Sequence, residues 1–385
     1  MKVFKPFKQD FIYRYVLPSI VSIPLLSGCG SSSTTAVEDP PDQIVSIEEV
    51  GRHLYFDTNL SNPVGQSCAS CHTPEVGFDD PNDMEPTSEG AIAGRFGSRN
   101  SPTASYAAFI PRLLFDVEEQ RYVGGLFWDG RADSLEEQAQ GPFLNPLEMN
   151  MASKEAVVEA VRQSDYADDF IAVFGDDVFD EGEDEVEEAY INISEAIAAF
   201  ERTPLFAPFT SKFDAVQAGE AEFTESEARG FDLFVDEVED GGADCAGCHN
   251  SFEDGPILFS NFEYENLGVP ANRESRFYTQ SSELNPDGEN FIDLGLGAVV
   301  GDDREDGKFR TTPLRNVAET APYMHNGVFK DLESVLRFYN DRDPNDAEVT
   351  RNLTDDENVG NLNLSDQDIA DLEAFLRALS DGYSQ

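Results

Sequence analysis

The chain has 385 residues, with 76 aspartates and glutamates against 26 lysines and arginines, and a formal net charge of −50 at pH 7. A surface this acidic repels nucleic acid and anionic membrane faces, so the charge excludes both as binding partners. We interpret the excess as adaptation to salt, with attraction of a basic partner as the second interpretation. The length suffices for two domains of ordinary size.

Residues 1–28 have the pattern of an export signal: basic residues, then a short apolar stretch that ends just before Cys29. The stretch is too short for a permanent transmembrane helix. We predict a lipoprotein signal peptide over residues 1–28, a lipidated Cys29, and a flexible tether over residues 29–43. The protein would then be periplasmic and lipid-anchored to the outer membrane. A plain signal peptide cut nearby is the alternative.

Two C-x-x-C-H runs dominate the rest of the chain, in a sequence with only 5 cysteines and 4 histidines. This run is the attachment signature of a c-type haem, in which two thiols bond one porphyrin edge and the histidine binds the iron. A redox C-x-x-C or half of a zinc site is the alternative, but its occurrence twice favours two covalently bound haem c groups. The runs are Cys68, Cys71 and His72, and Cys245, Cys248 and His249.

A similar segment precedes each run, which indicates an internal duplication. Capping-box patterns at Ser46 and Thr224 open helices that contain Gly-x-x-Leu-aromatic and lead to the C-x-x-C-H runs. Apolar helices predicted over residues 194–202 and 365–379 close the two halves. We therefore predict a mainly α fold. It has two cytochrome-c-like helical domains, over residues 44–209 and 210–385, each binding one covalent c-type haem.

The histidine count distinguishes an enzyme from an electron carrier. Once His72 and His249 serve as proximal ligands, only His53 and His325 remain, and no histidine lies between residues 72 and 249. The first haem is then expected to be five-coordinate, with an open face where peroxide or dioxygen can bind. We expect a surface or packing role for His53 and a structural hydrogen bond for His325, with iron ligation as the alternative for His325. A methionine sixth ligand is the alternative, and the candidates there are Met84, Met149 and Met151.

Several motifs resemble the bacterial di-haem cytochrome c peroxidase and MauG family. The likeness runs from about residue 47 to residue 379, in the family's order. It is carried by residues 99–103, 127–131, 135–142, 145–149, 308–316 and 320–327. The resemblance implies an enzyme that reduces hydrogen peroxide to water with electrons from a small cytochrome c or another periplasmic donor. It is also compatible with a homodimer.

The resemblance also implies roles for individual residues. Glu148 matches the glutamate that acts on bound peroxide, where splitting the O–O bond needs a group that moves a proton. Gln138 and Pro142 match residues on the same open face of the first haem. Trp128, the only tryptophan, matches an aromatic relay between the two haems.

A calcium site between the haems is implied in the same way. The side chain of Asn100 and the carbonyls of Thr320 and Pro322 match its protein ligands. Oxygen ligands of this kind, completed by water, suit Ca²⁺.

The sequence departs from the peroxidase branch at two positions. Ile92 stands where that branch has a histidine that occupies the first iron until the enzyme is reduced, so no such activation is expected. Tyr339 stands where that branch has a methionine ligand to the second haem, and Met324 is the rival ligand. Both departures are typical of MauG-type members.

Three functions follow in order of preference. The first is a peroxidase. The second is a MauG-like oxidase of a protein or organic substrate that acts through a high-valent two-haem state. Ala243 weakens the version of this function in which a partner protein is oxidised through a surface tryptophan, because MauG-type enzymes have that tryptophan at this position. The third is a passive electron-transfer cytochrome, which would need two fully ligated irons.

Overall fold

The computed structural model describes residues 45–82, 85–250, 255–354 and 359–384. The predicted signal peptide, Cys29, the tether and Met84 lie outside these ranges. The helices are α1 Ile47–Phe56, α2 Cys68–Cys71, α3 Leu135–Leu144, α4 Lys154–Arg162, α5 Ala167–Phe174, α6 Glu183–Glu201, α7 Lys212–Gln217, α8 Glu225–Val235, α9 Leu296–Val300, α10 Leu332–Asp341 and α11 Asp366–Arg377. The strands are β1 Leu114–Asp116, β2 Arg121–Val123, β3 Tyr264–Glu265 and β4 Phe309–Arg310.

The described chain is mainly α-helical, as predicted. The strands form only two short antiparallel pairs, β1 with β2 and β3 with β4. Arg310 is opposite Tyr264 in the second pair. Within the described ranges, no helix has the length and apolar character needed to cross a membrane.

The same helix crossing occurs once in each half, and a glycine makes each crossing possible. A Cβ atom on Gly51 of α1 would lie 1.8 Å from the carbonyl oxygen of Ala196 on α6. A Cβ atom on Gly230 of α8 would lie 1.9 Å from the carbonyl oxygen of Asp371 on α11. No side chain fits at these distances, so the repeated glycine lets α1 pack on α6, and α8 on α11, backbone to backbone.

The caps differ between the halves. At α8, Thr224 and Glu227 form the predicted reciprocal capping box. At α1, the Ser46 side chain accepts from the Glu49 backbone N–H at 3.3 Å, but the Glu49 carboxylate pairs with Arg52 at 2.7 Å. The predicted N-cap is therefore present at α1, and the reciprocal half of its box is absent.

The closing helix of the first half is longer than predicted. Instead of beginning near Ser194, α6 begins at Glu183, inside an acidic stretch over residues 180–188. Three acidic residues occupy its first turn, where the positive end of the helix dipole stabilises them. The acidic run therefore contributes to the fold as well as to solubility.

Each half has its own apolar core. The first is formed mainly by α1 and α3 to α6, and includes Tyr55, Phe143, Ile193 and Phe206. The second is formed mainly by α7, α8, α10 and α11, and includes Phe213, Leu336 and Phe375. The division into two domains stays a prediction, with which these separate cores agree.

Candidate functional site

The first C-x-x-C-H run lies on a single helical turn. Cys68 and Cys71 are the ends of α2, and the backbone N–H of His72 donates to the carbonyl of Cys68 at 2.9 Å. Nδ1 of His72 lies 3.3 Å from the carbonyl oxygen of Phe78. A carbonyl there holds the proton on Nδ1 and leaves Nε2 for a metal. Burial lowers the pKa of His72, which keeps the ring in the neutral form that a ligand needs.

The second run repeats this arrangement. It begins with the 3₁₀ turn Cys245–Gly247, and the His249 N–H donates to the Cys245 carbonyl at 2.8 Å. Nδ1 of His249 lies 3.0 Å from the carbonyl oxygen of Phe259, and burial lowers the pKa of His249. Both histidines therefore direct Nε2 away from a backbone carbonyl that fixes the ring.

The cysteines do not have the character of a redox dithiol. Burial raises the pKa of Cys68, Cys71 and Cys245 to about 12, whereas reactive cysteines have a lowered pKa. Across the described ranges, no group of three or more His, Cys, Asp or Glu side chains could hold a metal ion. The described residues thus supply no partners that would complete a zinc site.

A large cavity opens at the second run. Its volume is about 2100 Å³ with the mouth included, and Cys245, Cys248 and His249 are among its lining residues. Two thiols and a neutral imidazole in an apolar cavity fit a covalently attached porphyrin. The apolar part of the lining includes Phe234, Leu332, Leu336, Leu372 and Leu376.

Both candidates for the second distal ligand line this cavity. Tyr339 is on α10, and burial, with smaller contributions from Cys248 and Cys245, raises the pKa of its phenol well above the ordinary value. These contributions put the phenol close to the attachment thiols. Met324 lines the same cavity from a loop and has a positive φ of 70°. The structure brings both residues to the second run, and Tyr339 as the ligand stays a prediction.

Glu148 lies near the first run in a buried environment. Its charge contributes to the raised pKa of Cys71. Burial raises the pKa of Glu148 itself, while the charge of Arg131 and a hydrogen bond from Asn145 oppose that rise. The Asn145 side-chain amide donates to a Glu148 carboxylate oxygen at 2.8 Å. Burial thus favours the protonated form of this carboxyl, which can both give and accept a proton, as a proton-transfer group must.

Pro142 adjoins the Glu148 segment from α3, and Gln138 shares its face of that helix. They are four residues apart and so lie on one face of the helix, while Leu135, Ala139 and Phe143 are buried in the protein. The Met149 N–H donates to the Pro142 carbonyl at 3.2 Å, which ties the segment carrying Glu148 to the end of α3.

The loop that carries Ile92 packs directly on the Glu148 segment. The Ala91 N–H donates to the Glu148 carbonyl at 2.8 Å. A Cβ atom on Gly90 would lie 2.3 Å from the Leu147 carbonyl oxygen, so glycine is required for this approach. Residue 92 is therefore next to the segment that carries the candidate proton-transfer group.

Trp128 connects the two runs. Its indole Nε1 donates to the carbonyl of Asn100 at 2.9 Å, and it lines the cavity that contains His249. Ser101, the next residue after Asn100, has its hydroxyl 3.4 Å from Nδ1 of His72. A path of contacts thus runs from the second cavity through Trp128 to the proximal histidine of the first run.

The predicted calcium ligands also come together. The side-chain amide nitrogen of Asn100 lies 2.5 Å from the Pro322 carbonyl oxygen, and Thr320 lines the same cavity. Rotation of the amide would present its oxygen instead, and an amide oxygen with backbone carbonyls is a donor set suited to Ca²⁺. The Asn100 and Pro322 groups touch, so they must separate to admit an ion at Ca²⁺–oxygen distances.

Three buried polar residues have environments that the sequence did not predict. Arg310 lacks an acceptor for two of its guanidinium nitrogens, and Nε2 of His325 is 3.8 Å from Glu348 without a hydrogen bond. Burial raises the pKa of Glu201, at the end of α6, to about 8. A signal existed for Glu201, because it follows Ile193 and Ile197 at helical spacing on the buried face. Arg310 and His325 lie in motifs of the family resemblance, but those motifs do not indicate which of their nitrogens lack hydrogen-bond partners.

Comparison with known proteins gives consistent similarities. Residues 46–222 match the family described as di-haem cytochrome c peroxidase. The chain is 39% identical to the methylamine utilization protein MauG of Paracoccus denitrificans, over 87% of this chain and 89% of that one. It is 32% identical to the cytochrome-c peroxidase IdrP1 of Pseudomonas sp. strain SCT, over 89% and 83% respectively. The crystal structure of the di-haem peroxidase BthA from Burkholderia thailandensis matches with a TM-score of 0.76 at 31% identity, over 90% and 88%.

Proposed function

Because the chain belongs to the di-haem cytochrome c peroxidase family, we propose that it reduces hydrogen peroxide to water with electrons from a small cytochrome c. Two electrons and two protons convert one peroxide molecule to two water molecules. The bound haems supply iron that carries the electrons. Cys68, Cys71 and His72 would hold the haem at which peroxide reacts. The second run would hold the haem that receives electrons.

The single observation that carries this proposal is the environment of Glu148. Heterolysis of the O–O bond needs a group that takes a proton from one peroxide oxygen and gives it to the other, which then leaves as water. The buried carboxyl of Glu148 lies near Cys71 and is oriented by Asn145. Gln138, on the face of α3 that it shares with Pro142, is proposed to donate a hydrogen bond to the substrate.

The test is steady-state turnover of peroxide with a reduced small cytochrome c. We expect Glu148→Gln to lose about 10²-fold or more in kcat, since the amide cannot accept the proton. The matched control is Glu155→Gln on the exposed first turn of α4, which should retain the wild-type rate. Equal rates for the two variants would refute the role of Glu148.

Electrons are proposed to cross between the haems past Trp128. Its hydrogen bond to the Asn100 carbonyl fixes the indole next to the segment that contacts His72. A Trp128→Phe variant keeps an aromatic ring and loses this bond. We expect it to slow inter-haem transfer while both haems remain attached.

A second candidate function is oxidation of a protein or organic substrate, as in the MauG-type branch. Ile92 and Tyr339 favour it, because neither is typical of the peroxidase branch. Ala243 argues against a route through a surface tryptophan, because this position is only 6% exposed and lines the second cavity. Peroxide-dependent loss of an added substrate without any reduced cytochrome would support this function over the peroxidase.

The finer features are proposals as well. We propose one Ca²⁺ held by Asn100, Thr320 and Pro322, whose removal by a chelator would change the contacts of Trp128. Two cytochrome-c-like domains, each with one haem c, are proposed on the basis of the two cores.

The proposed location is the periplasm, with anchoring through lipidated Cys29. A homodimer is a further proposal. Labelling with a radioactive fatty acid tests the anchor.

A further inference from the structure

Arg310 is a buried cation with no ionic partner in the described part of the chain. The residue is only 5% exposed. Two of its guanidinium nitrogens, Nε and Nη1, have no hydrogen-bond acceptor. A buried charge without a partner is strongly unfavourable, because nothing compensates for its loss of hydration. Such a group is therefore expected to bind an anion in the functional protein.

The polar groups near Arg310 already bond to other partners. Asp129 accepts from Arg99 at 2.6 Å and from Arg131 at 2.8 Å. The hydroxyl of Tyr264, opposite Arg310 across the β3–β4 pair, donates to the Gly124 carbonyl at 2.6 Å. These protein groups therefore do not neutralise the guanidinium.

The position of Arg310 indicates where the anion lies. Arg310 lines the cavity that also contains Cys245, Cys248 and His249. Its third guanidinium nitrogen, Nη2, donates to the carbonyl of Phe127 at 3.3 Å, and its backbone N–H donates to the carbonyl of Trp128 at 3.0 Å. An anion on Arg310 is thus in the haem cavity and beside the proposed electron relay.

From these contacts we infer that Arg310 binds a carboxylate, namely a propionate of the haem attached to Cys245 and Cys248, and holds it next to Trp128. The inference rests on the proposed attachment of a haem at the second run. A porphyrin joined to the protein at its vinyl edge has two propionates on the opposite edge. A guanidinium is the side chain best suited to a buried carboxylate. Arg310 then positions the porphyrin edge against the relay and adds a positive charge next to the haem.

The test is the midpoint potential of each haem in the complete protein, measured by absorbance during a redox titration. Loss of a buried positive charge favours ferric over ferrous iron, so Arg310→Gln should lower the potential of the second haem more than that of the first. Arg310→Lys keeps the charge and should stay closer to wild type. The matched control is Arg304→Gln, whose side chain is 82% exposed and which should leave both potentials unchanged.

A second measurement distinguishes a haem propionate from a free carboxylate bound at Arg310. Acetate is added to the wild type over a range of concentrations. We expect no change in either potential, because a covalently held carboxylate cannot be displaced from the site. A saturable change that Arg310→Gln abolishes would show a free anion instead, and would overturn the inference.

Equal second-haem potentials in Arg310→Gln and Arg304→Gln would also overturn it. If Arg310→Gln does not retain two haems, a crystal structure of the wild-type holoprotein decides. A propionate oxygen within hydrogen-bond distance of the guanidinium supports the inference, and its absence refutes it. These measurements are independent of peroxide turnover, so failure of the proposed activity would leave them interpretable.

Discussion

The indole Nε1 of Trp128 donates a 2.9 Å hydrogen bond to the backbone carbonyl of Asn100. This bond joins two sites that are far apart in the sequence. Asn100 contacts the Pro322 carbonyl with its side chain, and the next residue, Ser101, contacts His72. Ion binding at the proposed calcium site would therefore change the contacts of Trp128 and of His72. Activity would depend on calcium through these contacts.

The first prediction concerns the open face of the His72 haem. Ile92→His should supply an imidazole next to the Glu148 segment, on which this loop packs. We expect the oxidised variant to bind peroxide slowly or not at all, and to become active after reduction by one electron. Wild type should be active when fully oxidised. Stopped-flow mixing with peroxide, before and after partial reduction, measures this.

The control for that variant is Ile92→Gln, which is polar and does not bind iron well. It should behave as wild type. If both variants require prior reduction, polarity and not ligation is the cause.

A second prediction concerns the ligand of the second haem. An anionic oxygen donor favours ferric iron, so Tyr339→Phe should raise the potential of this haem and change its ferric spectrum. Met324→Leu should do neither. The reverse pattern, with the spectrum altered only in Met324→Leu, would make the methionine the ligand. Ferric absorbance spectra and a redox titration of both variants give the answer.

The third prediction concerns Glu201. Its pKa is about 8 in the folded protein against an ordinary value of 4.5, so the folded state holds its proton more tightly than the unfolded chain does. The contribution to stability is complete below pH 4.5 and is lost as the pH rises through 8. That loss is about 5 kcal/mol in total.

Glu201→Gln should remove this dependence. We expect the variant and wild type to unfold at similar urea concentrations at pH 5, and the variant to be the more stable at pH 8. Glu195→Gln, at an exposed position of the same helix, is the control. Parallel pH profiles for wild type and Glu201→Gln would contradict the prediction.

The fourth prediction concerns the two helix crossings. Gly51→Ala and Gly230→Ala each force a methyl group into a backbone carbonyl, at 1.8 and 1.9 Å. Each should lower the free energy of unfolding by about 1–3 kcal/mol or more. Gly255→Ala is the control, because nothing lies within 4 Å of its added Cβ. Thermal unfolding followed at the haem absorbance would reveal the difference.

Much of the fold and site followed from patterns that recur in the sequence. The repeated capped helix, glycine and C-x-x-C-H run predicted the mainly α fold, and motifs spread over residues 99–327 predicted the family. What could not be predicted depends on contacts between distant residues. Arg310 has no ionic partner among the described residues because Asp129 and Tyr264 bond to other groups. The early part of α6 likewise depends on a distant contact, because Lys154 of α4 pairs with Glu187 at 2.6 Å.

We propose that the two haem sites are unequal, with the His72 iron open and the His249 iron closed. The most direct measurement is the electron paramagnetic resonance spectrum of the fully oxidised holoprotein. The account predicts one high-spin and one low-spin ferric signal in equal amounts, and loss of the high-spin signal when one equivalent of cyanide is added. Two low-spin signals that cyanide does not affect would contradict it, and would identify a passive electron-transfer cytochrome.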